Sequence, residues 1–135
     1  MENIFTRQAL VRNSFQPVVY DGIQYGFTFR FNTTDTRGIY LSCLEEFSVE
    51  FDGVKLSPYD MTIFVDGKEY LVALMPELSS VVLDLGKQAT VKACYYGDLT
   101  GEHTLSLSYN DRLPFIGSVG HTLAPPTRDT MIVGV

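Results

Sequence analysis

Asp-Gly occurs three times in this 135-residue chain, at Asp21-Gly22, Asp52-Gly53 and Asp66-Gly67, each time between apolar or aromatic stretches. A two-residue type I′ hairpin needs φ > 0 at both central residues, and Asp-Gly is among the pairs that tolerate this best. The middle copy can be checked against its flanks. A two-residue loop there sets Phe51 opposite Val54, Glu50 opposite Lys55 and Val49 opposite Leu56. Two apolar pairs then share one face and an opposite-charge pair the other, which is the agreement expected of a true register. At Asp66-Gly67 the same construction puts Phe64 opposite Glu69, which predicts a bulge or a longer loop.

The rest of the chain follows the same period. Tyr25, Phe27, Phe29 and Phe31 alternate with Gly26, Thr28 and Arg30, and Phe47, Val49 and Phe51 with Ser48 and Glu50. Met61, Ile63 and Val65 lead into the third turn, and Val81, Leu83 and Leu85 form a short strand ended by Gly86. Ala89, Val91, Ala93 and Tyr95, then His103, Leu105, Leu107 and Tyr109, alternate with more polar neighbours across a Gly97–Gly101 loop. Residues Leu41 to Glu46 have room for one helical turn, and no stretch carries a long helical period. About six to eight short strands with turn signals roughly every ten residues predict an all-β fold, an antiparallel sandwich of immunoglobulin-like shape. Phe27, Phe29, Val49, Phe51, Val91, Leu105 and Leu107 are the expected core.

Residues 1–135 read as a single domain, long enough for one core. Apolar residues make up 45% of the chain, which favours a folded state over disorder. The net charge is −6 with no basic run, so nucleic acid and anionic membrane are poor partners. The first residues lack the apolar core of a signal peptide, and no apolar run approaches the ~20 residues of a membrane span. The expected location is cytoplasmic. There, Cys43 and Cys94 are expected as free thiols; the immunoglobulin disulfide packs against a Trp, and this chain has none.

The segment 113–127 departs from the pattern. It holds no acid, Lys or Arg, and its two Gly and three Pro argue against a regular element. A long irregular segment carrying Phe115, Ile116, Val119 and Leu123 either wraps the domain's own core or packs on another protein.

Nothing in the sequence forms a self-contained active site: there is no nucleophile elbow, phosphate loop or metal-ligand cluster, so no catalytic residue and no metal ligand is expected in this chain. His103 leads a strand on its apolar side and reads as structural. His121 lies in the uncharged segment, where an imidazole can titrate near neutral pH, and is the more open to a site role. Arg112 and Arg128 bracket that segment. Each either pairs with its neighbour, Asp111 or Asp129, or faces solvent, or else offers its guanidinium to carboxylates and carbonyls. Arg37 reads first as a solvated loop charge before Gly38.

The run from Thr36 to Gly53, Thr-Arg-Gly-Ile-Tyr-Leu-Ser-Cys-Leu-Glu-Glu-Phe-Ser-Val-Glu-Phe-Asp-Gly, resembles the signature of a family of small bacterial β-domain proteins. So does Gly-Asp-Leu-Thr-Gly-Glu-His-Thr-Leu at 97–105, followed by Arg112 and Pro114. The characterised members are the small (beta) subunits of C-glycoside deglycosidases. Tyr40 departs from the Pro expected in that segment.

The resemblance implies a heteromer. Its larger alpha subunit would be a TIM barrel of sugar-isomerase type, holding a divalent metal (Mn or Mg type) and the general base. The implied substrate is a 3-oxo-C-glycoside with a flavonoid-type aglycone, cleaved by a carbon–carbon lyase reaction. The small chain, not active alone, would be non-catalytic or complete the site. His121 and Phe115 are then the substrate-proximal candidates. Arg112, Phe115, Ile116, Leu123, Arg37 and Tyr40 are the interface candidates. The alternative is a stand-alone carbohydrate-binding or structural β-sandwich module.

Overall fold

The computed structural model describes residues 9–32, 38–84, 86–112 and 127–135. Among them are eleven strands: β1 (Gln16–Tyr20), β2 (Ile23–Asn32), β3 (Ile39–Tyr40), β4 (Leu44–Phe51), β5 (Val54–Lys55), β6 (Met61–Val65), β7 (Lys68–Leu71), β8 (Val82–Leu83), β9 (Gln88–Cys94), β10 (His103–Asp111) and β11 (Thr127–Val133). Three 3-10 turns intervene, at Leu41–Cys43, Pro58–Asp60 and Val72–Glu77. One sheet has the order β1-β2-β9-β6-β7, the other β11-β10-β4-β5, and β3 and β8 make a small ribbon. All pairings are antiparallel, and the two large sheets form the sandwich predicted from the sequence.

The three Asp-Gly pairs each close a two-residue hairpin. Asp and Gly are both left-handed in every copy, with φ of 54° and 77°, 51° and 80°, and 52° and 79°. This is the backbone a type I′ turn requires. In the middle hairpin Phe51 faces Val54 and Glu50 faces Lys55, the predicted register. The third corrects the expectation: Val65 faces Lys68 and Phe64 faces Glu69, with no bulge. The mismatch resolves on the wet face. Glu69 accepts a hydrogen bond from the Thr62 hydroxyl at 2.7 Å and lies 3.5 Å from the Lys92 ammonium. Lys92 in turn sits 5.5 Å from the centroid of the Phe64 ring.

The core lies between the sheets. All seven predicted core residues are buried, from Phe27 at 0% exposed to Phe51 at 2%. Aromatic rings join the layers in two groups. Phe27 of β2 meets Phe51 of β4 at 5.0 Å between centroids, with Phe15 and Tyr95 against both. Phe31, Phe47 and Tyr109 form the second group. Such pairs add about 0.5–1.5 kcal/mol each beyond the area they bury.

Three strands escaped the sequence reading, the two-residue β3 among them. β1 has exposed residues at four of its five positions and so shows no alternation. β11 does alternate, but its buried residues begin with Thr127 and Asp129. Thr127 therefore opens a strand instead of ending the irregular segment, and the rest of that segment, 113–126, lies outside the described residues. Of the alternatives for Arg112 and Arg128, the structure has both side chains exposed, without pairing to the neighbouring Asp111 or Asp129. Consecutive strand residues point to opposite faces, and both aspartates are buried while both arginines are exposed. Asp129 instead takes a forked pair from Arg12, at 2.7 and 3.0 Å, and a bond from the Leu10 amide at 2.9 Å. Residues 9–12, which hydrogen-bond along β2, are thereby fastened to β11 of the other sheet.

Candidate functional site

The strand with the acidic pair, β4, has an irregular beginning. Ser48 faces Ser108 of β10, but Glu45 faces Asn110, so β4 carries one extra residue around Glu46 and Phe47. Glu46 absorbs the extra length by turning left-handed, with φ of 55°. A β-bulge bends the strand and re-aims its side chains. Here Glu46 accepts a hydrogen bond from Asn110 Nδ2 at 2.8 Å.

On its other side β4 is paired by β5 only at Glu50 and Phe51. Beyond that point a cleft of about 430 Å³ opens beside Leu44, Glu45, Glu46 and Phe47. It is also lined by Val72, Ala73, Met75 and Pro76, by Pro58 and Tyr59, and by Ser42 and Arg112. Pro58 starts a 3-10 turn whose preceding Ser57 hydroxyl accepts the Tyr59 amide at 3.2 Å. That turn holds Tyr59 in solvent at 75% exposure.

Arg112 is the one cationic side chain among the described residues that line the cleft. Its Nε donates to Glu45 Oε2 at 2.9 Å, with both side chains 45% exposed. Its amide donates to the Cys43 carbonyl at 2.8 Å, which ties the end of β10 to the turn before β4. An exposed pair of this kind contributes at most about 1 kcal/mol to folding. The arrangement suits recognition: apolar walls, one fixed cation and two carboxylates.

Gly38 explains part of the local sequence. A Cβ there would stand 3.1 Å from Val82 Cγ1 and 3.2 Å from Asp84 Oδ1. Its absence lets the chain run close to β8 before Tyr40 pairs with Val82. Tyr40 is 42% exposed and does not line the cleft; Ser42, two residues on, does. Of the other candidates, Arg37, Phe115, Ile116, His121 and Leu123 lie outside the described residues. Tyr59, Met75 and Pro76 were not foreseen, because they carry no motif and the wall of residues 72–77 is a 3-10 turn with a Pro inside.

His103 sits at the opposite end of β4 from the cleft. Its Nδ1 lies 2.7 Å from Asp52 Oδ2, its Nε2 is 2.9 Å from the Thr100 carbonyl oxygen, and its ring stacks on Phe51 at 5.1 Å. Both ring nitrogens face acceptors, so the protonated ring satisfies both. Its pKa is raised, first by the Asp52 hydrogen bond and then by the Thr100 carbonyl. Asp52 is lowered by His103 and by the Thr104 amide. This clasp joins the β4–β5 turn to the loop before β10, in keeping with a structural histidine.

Among the described residues no group of three or more His, Cys, Asp or Glu is placed to hold a metal ion. No helix among them is long and apolar enough to cross a membrane. Cys43 is buried and Cys94 exposed, both as free thiols. A family model described as the C-glycoside deglycosidase beta subunit matches residues 5–115. No curated protein matches the chain.

Proposed function

The chain belongs to the family of C-glycoside deglycosidase beta subunits, and from that premise we propose that it completes the site of a carbon–carbon lyase whose metal and base lie on a larger TIM-barrel subunit. A beta subunit implies a hetero-oligomer with another subunit. The substrate in this reading is a 3-oxo-C-glycoside, its sugar C1 joined to a carbon of an aromatic, flavonoid-type ring. The C3 ketone acidifies the hydrogen on C2. A base on the partner removes that proton, the C2 electrons form the C1–C2 double bond, and the C1–aryl bond breaks. The aryl carbon leaves with the electron pair and is protonated. A divalent metal on the partner, of Mn or Mg type, would supply charge stabilisation at the enolate.

The observation that carries the role of this chain is the placing of its motif. The Glu45-Glu46 pair and Arg112, drawn from the segments that resemble the family, converge on one apolar-walled cleft. Binding of a flat aglycone or of a partner loop needs such walls with a few fixed polar groups. Phe115 and His121, which follow Arg112 in the chain, are proposed to wall the shared site, with Tyr40, Arg37, Ile116 and Leu123 contributing to the subunit contact.

Co-expression with the large subunit tests this reading. The assembled enzyme should cleave a 3-oxo-C-glycoside and the small chain alone should not. Activity of the lone chain would refute the division of labour. Phe115→Ala should weaken assembly about 30-fold while leaving the lone domain folded. His121→Ala should lower kcat/KM of the assembled enzyme without loss of metal. Unchanged kinetics would remove His121 from the site.

A further inference from the structure

The cleft beside the start of β4 brings two kinds of surface together. Leu44, Val72 and Met75 line it and are also members of the buried core cluster. That part of the lining is therefore continuous with the core and fixed by its packing. Tyr59 and Pro76 line it too, and both are exposed. The volume of about 430 Å³ falls in the range of small-molecule sites, about 300–1,000 Å³.

The charged groups are few and each is held. Glu46 accepts from Asn110, and Glu45 accepts from Arg112. Arg112 uses its Nε for that bond, and its two Nη groups bond to no described residue. Glu45 and Glu46 against Arg112 leave the described lining with a net charge of −1. An anionic ligand is disfavoured there. Hydroxyl donors find carboxylate acceptors, and hydrogen bonds to a charged acceptor are the stronger kind. A carbonyl oxygen finds the Nη donors of Arg112. A bare sugar fits less well, because hydroxyls set against Leu44, Val72 and Met75 would lose water without gaining partners. A flat aromatic ring with hydroxyl and carbonyl substituents matches both kinds of surface: its faces meet apolar groups and its edge meets polar ones. The Met75 thioether and the Tyr59 ring both favour aromatic contacts.

We propose that this cleft reads the aglycone. It binds a hydroxylated aromatic ring, with Glu45 and Glu46 accepting from the ring hydroxyls, Arg112 donating to a ring carbonyl oxygen and Tyr59 packing on a ring face. The proposal rests on the site-completing role given to the chain above. It goes further in assigning the choice of aglycone to named residues of the small subunit, while the sugar carbons that react stay with the partner. Tyr59, Glu45 and Arg112 are then specificity-determining residues.

The test uses the full-length small chain and two probes, a dihydroxyflavone and unsubstituted flavone, with binding read by calorimetry and by NMR shifts. The dihydroxyflavone should bind about tenfold more tightly than flavone and should shift the amides of Glu45, Tyr59 and Ala73. Glu45→Ala should remove most of that preference, and Tyr59→Ala should weaken both probes severalfold. Both side chains are exposed, so each variant should keep the wild-type Tm. In the assembled enzyme the dihydroxyflavone should inhibit cleavage of a 3-oxo-C-glycoside, and the same two variants should raise its Ki. Equal binding of the two probes, or shifts that spare Glu45, Tyr59 and Ala73, would overturn the proposal. Wild-type Ki in both variants would overturn it and leave the site-completing role intact. Weakened assembly in either variant with probe binding unchanged would assign the cleft to a loop of the partner instead. An assembled enzyme inert toward 3-oxo-C-glycosides, with probe binding in the cleft retained, would overturn the lyase reading alone.

Discussion

Asp129→Ala should be among the most damaging polar substitutions in this domain. Asp129 is 7% exposed and joins the N-terminal strand segment to β11. Its removal takes an acceptor from three partners, Arg12, the Leu10 amide and the part-buried Thr130 amide, and the first two respond differently. The Arg12 side chain is 41% exposed and regains water when the carboxylate goes, so that part of the loss is about 0.5–1 kcal/mol. The Leu10 amide belongs to a residue only 3% exposed and loses its acceptor; an orphaned buried N–H costs about 1–3 kcal/mol. Together the loss is about 2–4 kcal/mol. A domain of 135 residues loses roughly 3–4 °C of Tm per kcal/mol, so thermal unfolding should shift down by about 6–15 °C. Arg12→Ala removes only the solvent-side half and should cost about 4 °C or less. Calorimetry or circular dichroism on the two variants and the wild type reads both numbers. A fall under about 3 °C for Asp129→Ala, or equal falls for the two, would refute the assignment of the larger share to the Leu10 amide.

Two further predictions concern the fold. Because the folded pKa of His103 is raised, its stabilisation is complete below the unfolded value near 6.5 and is lost as pH rises through the folded value. The lowered pKa of Asp52 gives stability that is present above about pH 4 and lost as pH falls. The stability gap between wild type and His103→Gln should therefore be widest near pH 5–6 and narrow as pH rises through the raised folded value, with NMR titration placing His103 above ~6.5; an unshifted titration would refute the clasp. Gly26→Ala should disrupt the pairing of β2 with β9, because its Cβ would meet the Ala93 carbonyl oxygen. Its cost of about 2–3 kcal/mol or more should appear as faster amide exchange at Phe27 and Ala93, and native exchange there would contradict it.

The parts of the fold legible in the sequence are those where local and tertiary demands coincide. At Asp52-Gly53 the turn chemistry and the alternation of flanking residues favour one register, and the structure adopts it. At Asp66-Gly67 turn chemistry and the Phe64–Glu69 pairing conflict in sequence. The conflict disappears only when Thr62 and Lys92 are known to flank Glu69, and Lys92 comes from a strand that sequence spacing does not place there. β11 was hidden because its inward positions include Thr127 and Asp129, whose partners lie more than a hundred residues earlier or across the sheet. The cleft was only half legible. Arg112 and the acidic pair stand out by type and motif, whereas the Val72–Pro76 wall is formed by a 3-10 turn whose composition is that of ordinary core.

The bulge in β4 shows how one strand serves two demands. From Val49 to Phe51 it keeps strict alternation, and both end residues are buried against β10 and the facing sheet. Had that alternation continued without interruption, Glu45 would have lain on the same face as Val49 and Phe51, toward the core. The extra residue at Glu46 resets the phase: Leu44 turns inward at 3% exposure, and Glu45 turns outward to Arg112. Glu46 pays for this with a left-handed backbone, a cost of about 1 kcal/mol for a non-glycine residue. Glu46→Gly should thus relieve the backbone while removing the Asn110 contact, leaving stability nearly unchanged. Deletion of Glu46 should restore one-for-one pairing with β10 and keep Leu44 inward and Glu45 outward, so it should be tolerated about as well. Comparison of the two by thermal unfolding separates the bulge from the side chain. A deletion far more damaging than the glycine substitution would mean that Glu46 is not simply the extra residue that sets the phase of the acidic pair.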